Sequence, residues 1–206
     1  PVLGVRPVNH PGVRVSKSVW RGTNAIESWS WSGCEGNRAE IEVYSDACAI
    51  ALYLNGKKIG KKKVKECRAF FKTKYKPGIL KAVALNAAGK IVGESELRTA
   101  GNYKICISCE KNRAVSGEVL FFDVAIADKN GTVESNADCR LTASVENGEL
   151  LAFDSARQKT EDKYSSPVCE TYYGRALAVV KAGKKGAVKL MISGKGKKES
   201  IIINIG

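Results

Sequence analysis

Apolar and polar residues alternate along most of this chain. In residues 40–44, Ile41 and Val43 alternate with Glu40, Glu42 and Tyr44, which puts both acids at solvent-facing positions. In residues 48–54, Cys48, Ile50, Leu52 and Leu54 share one face, and Ala49, Ala51 and Tyr53 share the other. A period of two predicts half-buried strands. Asn55-Gly56 supplies the positive φ values of a type I′ turn, so residues 57–61 should return antiparallel. Residues 67–74 form the next strand. Lys76-Pro77-Gly78 signals a type II turn, and residues 79–85 and 90–97 follow as strands around Ala88-Gly89.

Around Thr99-Ala100-Gly101-Asn102 the alternation breaks and then resumes. Residues 103–110 put Tyr103, Ile105, Ile107 and Cys109 on one face, and residues 119–127 turn Leu120, Phe122, Val124 and Ile126 inward. Asn130-Gly131 reads as a second hairpin turn. Residues 139–145 align Cys139, Leu141, Ala143 and Val145, and Asn147-Gly148 turns the chain into residues 149–153. Residues 154–173 are polar, hold Pro167 and show no period, so they read as a loop. Strands at 175–181, 187–192 and 200–205 close the set. No window carries a helical stripe. Short strands with turn signals every 8–12 residues predict an all-β chain of two tandem immunoglobulin-like β-sandwich domains. The expected bounds are an extended connector at 1–28, a first sandwich at 29–100 (or from 20), and a second at 101–206. The connector holds three of the five prolines, and Trp20 and Ile26 would dock it.

Charge adds one feature. The net charge is +13, and residues 1–100 hold 18 basic against 8 acidic side chains. Eleven basic residues between Lys57 and Lys81 face only Glu66. Such a run suits nucleic acid or an acidic glycan. It also suits a solvated strand whose lysines discourage edge pairing. The run is mostly Lys with few interleaved aromatics, which favours the solvated strand, so no nucleic-acid partner is expected. No apolar run approaches the roughly 20 residues of a membrane span, and no membrane partner is expected.

The seven cysteines are an odd number and several fit apolar strand patterns. Cys106 and Cys109 are three apart on a strand and so face opposite ways. His10 is the single histidine. No metal site and no cofactor are expected, and free thiols point to a reducing, cytoplasmic setting. The one methionine is Met191 and the first residues lack an apolar signal region. The chain is therefore expected to be a piece of a longer protein.

Residues 20–100 resemble the sandwich that follows the catalytic barrel in glycoside hydrolase family 2 enzymes of the β-galactosidase type. The resemblance rests on Trp20-Arg21-Gly22, Ser28-Trp29-Ser30-Trp31, Glu35-Gly36, Val43-Tyr44-Ser45, Leu52-Tyr53-Leu54-Asn55-Gly56-Lys57, Gly60-Lys61-Lys62, Tyr75-Lys76-Pro77-Gly78 and Leu80-Lys81-Ala82-Val83-Ala84, ending at Leu97-Arg98-Thr99-Ala100-Gly101. Residues 103–206 are similar to that family's last, immunoglobulin-like domain through Asp128-Lys129-Asn130-Gly131, Asn136-Ala137-Asp138, Gly148-Glu149-Leu150-Leu151 and Gly174-Arg175-Ala176-Leu177-Ala178. In many relatives the opening aromatic motif reads His-Trp-Asn-Trp, so a role that needs its His or Asn is not carried over to Ser28 or Ser30.

The resemblance implies a parent retaining β-galactosidase whose (β/α)₈ barrel holds two carboxylates about 5–5.5 Å apart. This chain has no βα alternation, and no catalytic residue is expected in it. Two roles stay open. One is structural: packing on the missing barrel of the same polypeptide, shaping its cleft or supporting a homo-oligomer. The other is a carbohydrate-binding module for β-galactoside glycans. Trp29, Trp31 and Tyr53 are the candidate contacts to sugar or barrel; burial against the first sandwich or the missing barrel is favoured over a sugar platform, and Trp29 and Trp31 are the candidates for a surface exposed in the isolated chain and covered in the whole enzyme.

Overall fold

The computed structural model describes residues 1–10, 12, 20, 22–194 and 196–206. It is all-β and divides into two compact units, Pro1–Thr99 and Ala100–Gly206.

The first unit contains β1 (Val2–Val5), β2 (Arg38–Tyr44), β3 (Ala49–Leu54), β4 (Lys57–Lys63), β5 (Arg68–Lys74), β6 (Ile79–Leu85) and β7 (Ile91–Arg98). One sheet runs β1-β2-β5 and the other β4-β3-β6-β7, all antiparallel. Leu3, Val5, Ile41, Val43, Ile50, Leu52, Phe71 and Leu80 are buried between them, as the alternation requires. β3 is central, and Ala49 and Ala51 are buried as well as Ile50 and Leu52, so this strand is covered on both faces rather than half-buried. Asn55 and Gly56 have φ of 51° and 77°, the type I′ hairpin expected. The lysine run falls on β4, an edge strand whose Lys57, Lys58, Lys61, Lys62 and Lys63 are exposed. Charge at an open edge opposes pairing with another chain.

The connector expected at 1–28 is corrected at both ends. Val2–Val5 pairs with β2 from Val2↔Tyr44 to Val5↔Ile41, and Val8 is buried. Ile26 bridges back to Val5. A short Val-Leu-Gly-Val run beside prolines carries too little pattern to announce a strand, and its partner lies some forty residues on. Trp20 is 94% exposed and docks nothing. Residues 11, 13–19 and 21, where the rest of that connector falls, lie outside the described residues.

The second unit contains β8 (Tyr103–Cys109), β9 (Arg113–Ala114), β10 (Val119–Asp128), β11 (Arg140–Glu146), β12 (Gly148–Asp154), β13 (Val168–Glu170), β14 (Arg175–Ala182), β15 (Gly186–Gly194) and β16 (Lys197–Ile205). Its sheets run β12-β14-β10-β8 and β13-β11-β15-β16-β9. Phe122, Phe153, Leu120, Leu141, Val180 and Leu190 are among the buried residues of its core. The turn after β10 is held by Asp128: Oδ1 accepts from the Asn130 and Thr132 N–H groups at 2.9 and 3.0 Å, and Oδ2 from Gly101 N–H at 2.9 Å.

Two expectations change here. Asn147, with φ 51°, does not close a hairpin, because β11 and β12 belong to opposite sheets. The residue carries the chain between layers, and its side-chain N–H₂ donates to Lys185 and Ala187 carbonyls at 2.7 and 3.1 Å. The supposed loop 154–173 contains β13, paired with β11 at Leu141↔Cys169. Three residues are too short for a period to show.

Candidate functional site

Trp29 and Trp31 are both fully buried within the first unit, so they form no exposed surface and the burial weighed against a sugar platform is what the fold shows. Trp29 Nε1–H donates to the Lys76 carbonyl at 3.0 Å, and its ring meets Tyr75 edge-on with centroids 5.0 Å apart. The Trp31 N–H donates to Tyr75 Oη at 3.0 Å. Thr99 Oγ1 donates to the Trp29 carbonyl at 2.7 Å and accepts from Gly78 N–H at 3.0 Å. The motif therefore fastens the entering segment to the turn after β5 and to the end of β7. No ring face is left for a sugar. Large aromatics with a polar tip that finds a partner behave this way in cores. The third candidate, Tyr53, is half-buried on the outer face of β3, opposite Lys58 and Lys81. The structure does not bring these three together on one surface.

Glu42 is the main site that pattern reasoning missed. It occupies the outer face of β2, as expected, but its side chain is fully buried rather than solvent-facing. The cover comes from elsewhere in the chain. Arg6 Nε donates to Glu42 Oε1 at 2.8 Å and Thr23 Oγ1 donates to the same oxygen at 2.9 Å. The Tyr44 hydroxyl donates to Oε2 in a short hydrogen bond, and Arg68 Nη1 stands 3.8 Å from that oxygen. Glu40 is half-buried beside it, bound by Arg38 at 2.8 Å and Arg6 at 3.2 Å. Phe70, opposite Glu42 on β5, carries the Arg68 guanidinium 4.3 Å above its ring and Arg6 at 5.9 Å.

Electrostatics decides what Glu42 can do. Burial alone would raise its pKa, but hydrogen bonds from Tyr44, Arg6 and Thr23 outweigh it and hold the carboxyl below the usual range. Burial and the same bond raise the Tyr44 hydroxyl. A general acid needs the opposite shift and an open face. Glu42 is an anchor, ionised at neutral pH, that ties Arg6 and Thr23 to the sandwich. The sequence offers no signal for the pairing, since Arg6 and Thr23 lie in the segment without a period.

In the second unit Asp138 is raised by burial, against the pull of Gly174 N–H and Arg157. Arg157 Nη2 lies 3.0 Å from Asp138 and 3.4 Å from Glu170, and its guanidinium is 5.6 Å from the Tyr172 ring centroid. A cation between two carboxylates closes the 154–173 segment over β13. Cys169, buried there, has its thiol pushed up to about 12 by burial. All seven cysteines are free, and the described residues hold no metal-binding cluster of His, Cys, Asp and Glu. His10 lines a small cavity with Arg6, Asn24, Arg38 and Glu40.

Comparison with known proteins adds the following. Residues 105–202 match the model described as glycoside hydrolase family 2 C-terminal domain 5, and residues 36–93 match a domain of unknown function (DUF4982). The chain is similar over its whole length to a glycosyl hydrolase family 2 member from Bacteroides cellulosilyticus, with 25% identity, a TM-score of 0.86 and 28% of that chain covered. A β-glycosidase from Bacteroides vulgatus shares the fold at 24% identity and a TM-score of 0.70, over 87% of this chain and 24% of that one. So does a family 2 β-glucuronidase, at 17% identity and a TM-score of 0.73, over 87% and 19%. No curated protein matches the chain. The chain spans only about a quarter of the solved structures it resembles.

Proposed function

We propose that this chain, whose residues 105–202 match glycoside hydrolase family 2 C-terminal domain 5, is the non-catalytic end of a retaining β-galactosidase, in which it supports the catalytic barrel. The observation that carries this reading is the similarity of both units, in order, to one family 2 member. The ordered motifs from Trp20 to Gly101 support the galactosidase type. The structural role is supported by the burial of Trp29 and Trp31, which removes the stacking platform of a sugar-binding module. Glu42, ionised and enclosed, serves cohesion rather than acid–base chemistry.

The test is turnover by the longer polypeptide. It should release galactose from an aryl β-D-galactoside with retention of configuration, and removal of residues 1–206 should lower its thermal midpoint. The chain alone should give no heat with β-galactosides in calorimetry. A preference for aryl β-D-glucuronides would replace the galactosidase assignment. Micromolar binding of a neutral β-galactoside by the isolated chain would replace the structural role.

A further inference from the structure

The crossover from β4 to β5 is a two-residue turn. Lys65 N–H donates to the Arg68 carbonyl at 3.0 Å, and Arg68 N–H returns to the Lys65 carbonyl at 2.9 Å. Glu66 and Cys67 at its centre have φ of 49° and 56°. These are the angles of a type I′ turn, which favours Asn and Gly. Two consecutive side-chain-bearing residues held there are strained. The turn also sets Lys65 and Arg68 directly across from one another, an arrangement of like charges that weakens a pair.

The turn forms the rim of a cleft of about 430 Å³, lined by Lys62, Lys63, Lys65, Glu66, Arg68 and Phe70. The cleft lies between β4 and β5, each the edge strand of its sheet. Its volume is in the range of small-ligand sites, roughly 300–1,000 Å³. Among the described residues, Lys62, Lys63 and Lys65 have no acidic partner, and Lys62 Nζ lies 5.4 Å from the Phe71 ring centroid. Arg68 Nη1 stands 3.8 Å from Glu42, and its guanidinium lies 4.3 Å from the Phe70 ring centroid, so these contacts position its planar fork in advance.

We propose that this cleft binds the carboxylates of an acidic polysaccharide. An anionic chain laid between the edges would neutralise the opposed Lys65 and Arg68 and give Lys62 and Lys63 an acidic partner. The lining sets four cations, Lys62, Lys63, Lys65 and Arg68, against Glu66 alone, which suits a ligand of several negative charges better than a single ion. Nucleic acid is the poorer fit, since Phe70 is the one aromatic lining residue and Arg68 covers its face. The anion site follows from the charge and strain alone. The choice of a polysaccharide among polyanions rests on the glycosidase reading.

Affinity electrophoresis of the full chain through polygalacturonate, at physiological salt, tests this. Polygalacturonate should retard the chain and neutral galactan should not. Changing Lys62, Lys63 and Lys65 together to Gln should weaken retardation at least about tenfold. Changing Lys57, Lys58 and Lys90 to Gln removes the same charge elsewhere and should leave most of it. All six lysines are exposed, so both variants should fold, as far-ultraviolet circular dichroism would verify. No retardation, or equal loss in the two variants, overturns the proposal. Equal or tighter binding of double-stranded DNA overturns the polysaccharide assignment, whatever sugar the longer protein cleaves.

Discussion

Asn55 and Gly78 are interlocked across the end of the first sandwich. The Asn55 carboxamide donates to the Pro77 carbonyl at 2.9 Å and accepts from Ile79 N–H at 2.8 Å, so it clasps the backbone on both sides of Gly78. A Cβ on residue 78 would stand 1.8 Å from Asn55 Oδ1, and φ at Gly78 is 131°. The glycine is required by the neighbouring turn as well as by its own.

Gly78→Ala should therefore destabilise the chain twice over. The backbone conformation alone costs about 1–3 kcal/mol, and displacement of the Asn55 carboxamide adds to it. In an Asn55→Gly background the steric part is already gone, so the same substitution should cost less. The two residues should show a coupling of about 0.5–3 kcal/mol in a double-mutant cycle by urea unfolding. Additive effects would mean that the clasp contributes nothing.

The Glu42 anchor predicts a pH dependence. Its carboxyl is depressed in the folded state from an ordinary 4.5. Its stabilisation is then complete above the ordinary carboxylate range and is lost as pH falls through the lowered value. Arg6, Arg68, Tyr44 and Thr23 face it, with Glu40 beside it. Urea unfolding of the wild type should show this acid loss. Glu42→Gln should be weaker at neutral pH and flatter in the acid window. Glu42→Ala, which strands the arginines, should cost about 3–5 kcal/mol.

The sandwiches were legible because a period of two and Asn-Gly turns are local signals. The inward residues of β10, Leu120 through Ile126, and the Asn55-Gly56 hairpin read directly from the chain. What was not legible is set by distant partners. Glu42 is outward by pattern and buried by Arg6 and Thr23, which only the fold brings over it. Trp29 and Trp31 are conspicuous in sequence, yet their neighbours Tyr75 and Thr99 lie more than forty residues on. Asn147 shows the same limit, since a turn residue reveals that the chain bends and not which sheet it enters.

Thr171 is a buried hub of the second unit. Its hydroxyl accepts from Cys139 N–H at 2.8 Å and donates to the Ala137 carbonyl at 3.1 Å. Thr171→Val keeps the shape and leaves that N–H and carbonyl without the hydroxyl. Each orphaned group costs about 1–3 kcal/mol, while Thr171→Ser should retain most of the stability. Equal midpoints for Val and wild type in thermal melts would rule out this hub.

The turn at Glu66-Cys67 offers a gain. Replacing it with Asn-Gly places the residues that type I′ geometry prefers where φ is already 49° and 56°. The first unit should gain about 1 kcal/mol or more, read as a higher urea midpoint with unchanged slope. A loss would show that the two side chains make contacts worth more than the strain.

Thiol chemistry separates surface from core in a single experiment. Cys48 and Cys67 are exposed, whereas Cys34, Cys139 and Cys169 are buried. Burial lifts the Cys169 thiol to about 12, so at pH 8 only about one molecule in 10⁴ carries its thiolate. The reactive species is the thiolate, and access compounds the effect. A chromogenic disulfide reagent should therefore label Cys48 and Cys67 in a fast phase under native conditions and reach all seven thiols only after denaturation. Cys67→Ser should remove one equivalent from the fast phase, and Cys169→Ser should leave that phase intact. Fast labelling of Cys169 in the native chain would mean that β13 opens readily, and that Arg157, Asp138 and Glu170 do not hold the 154–173 segment closed over it.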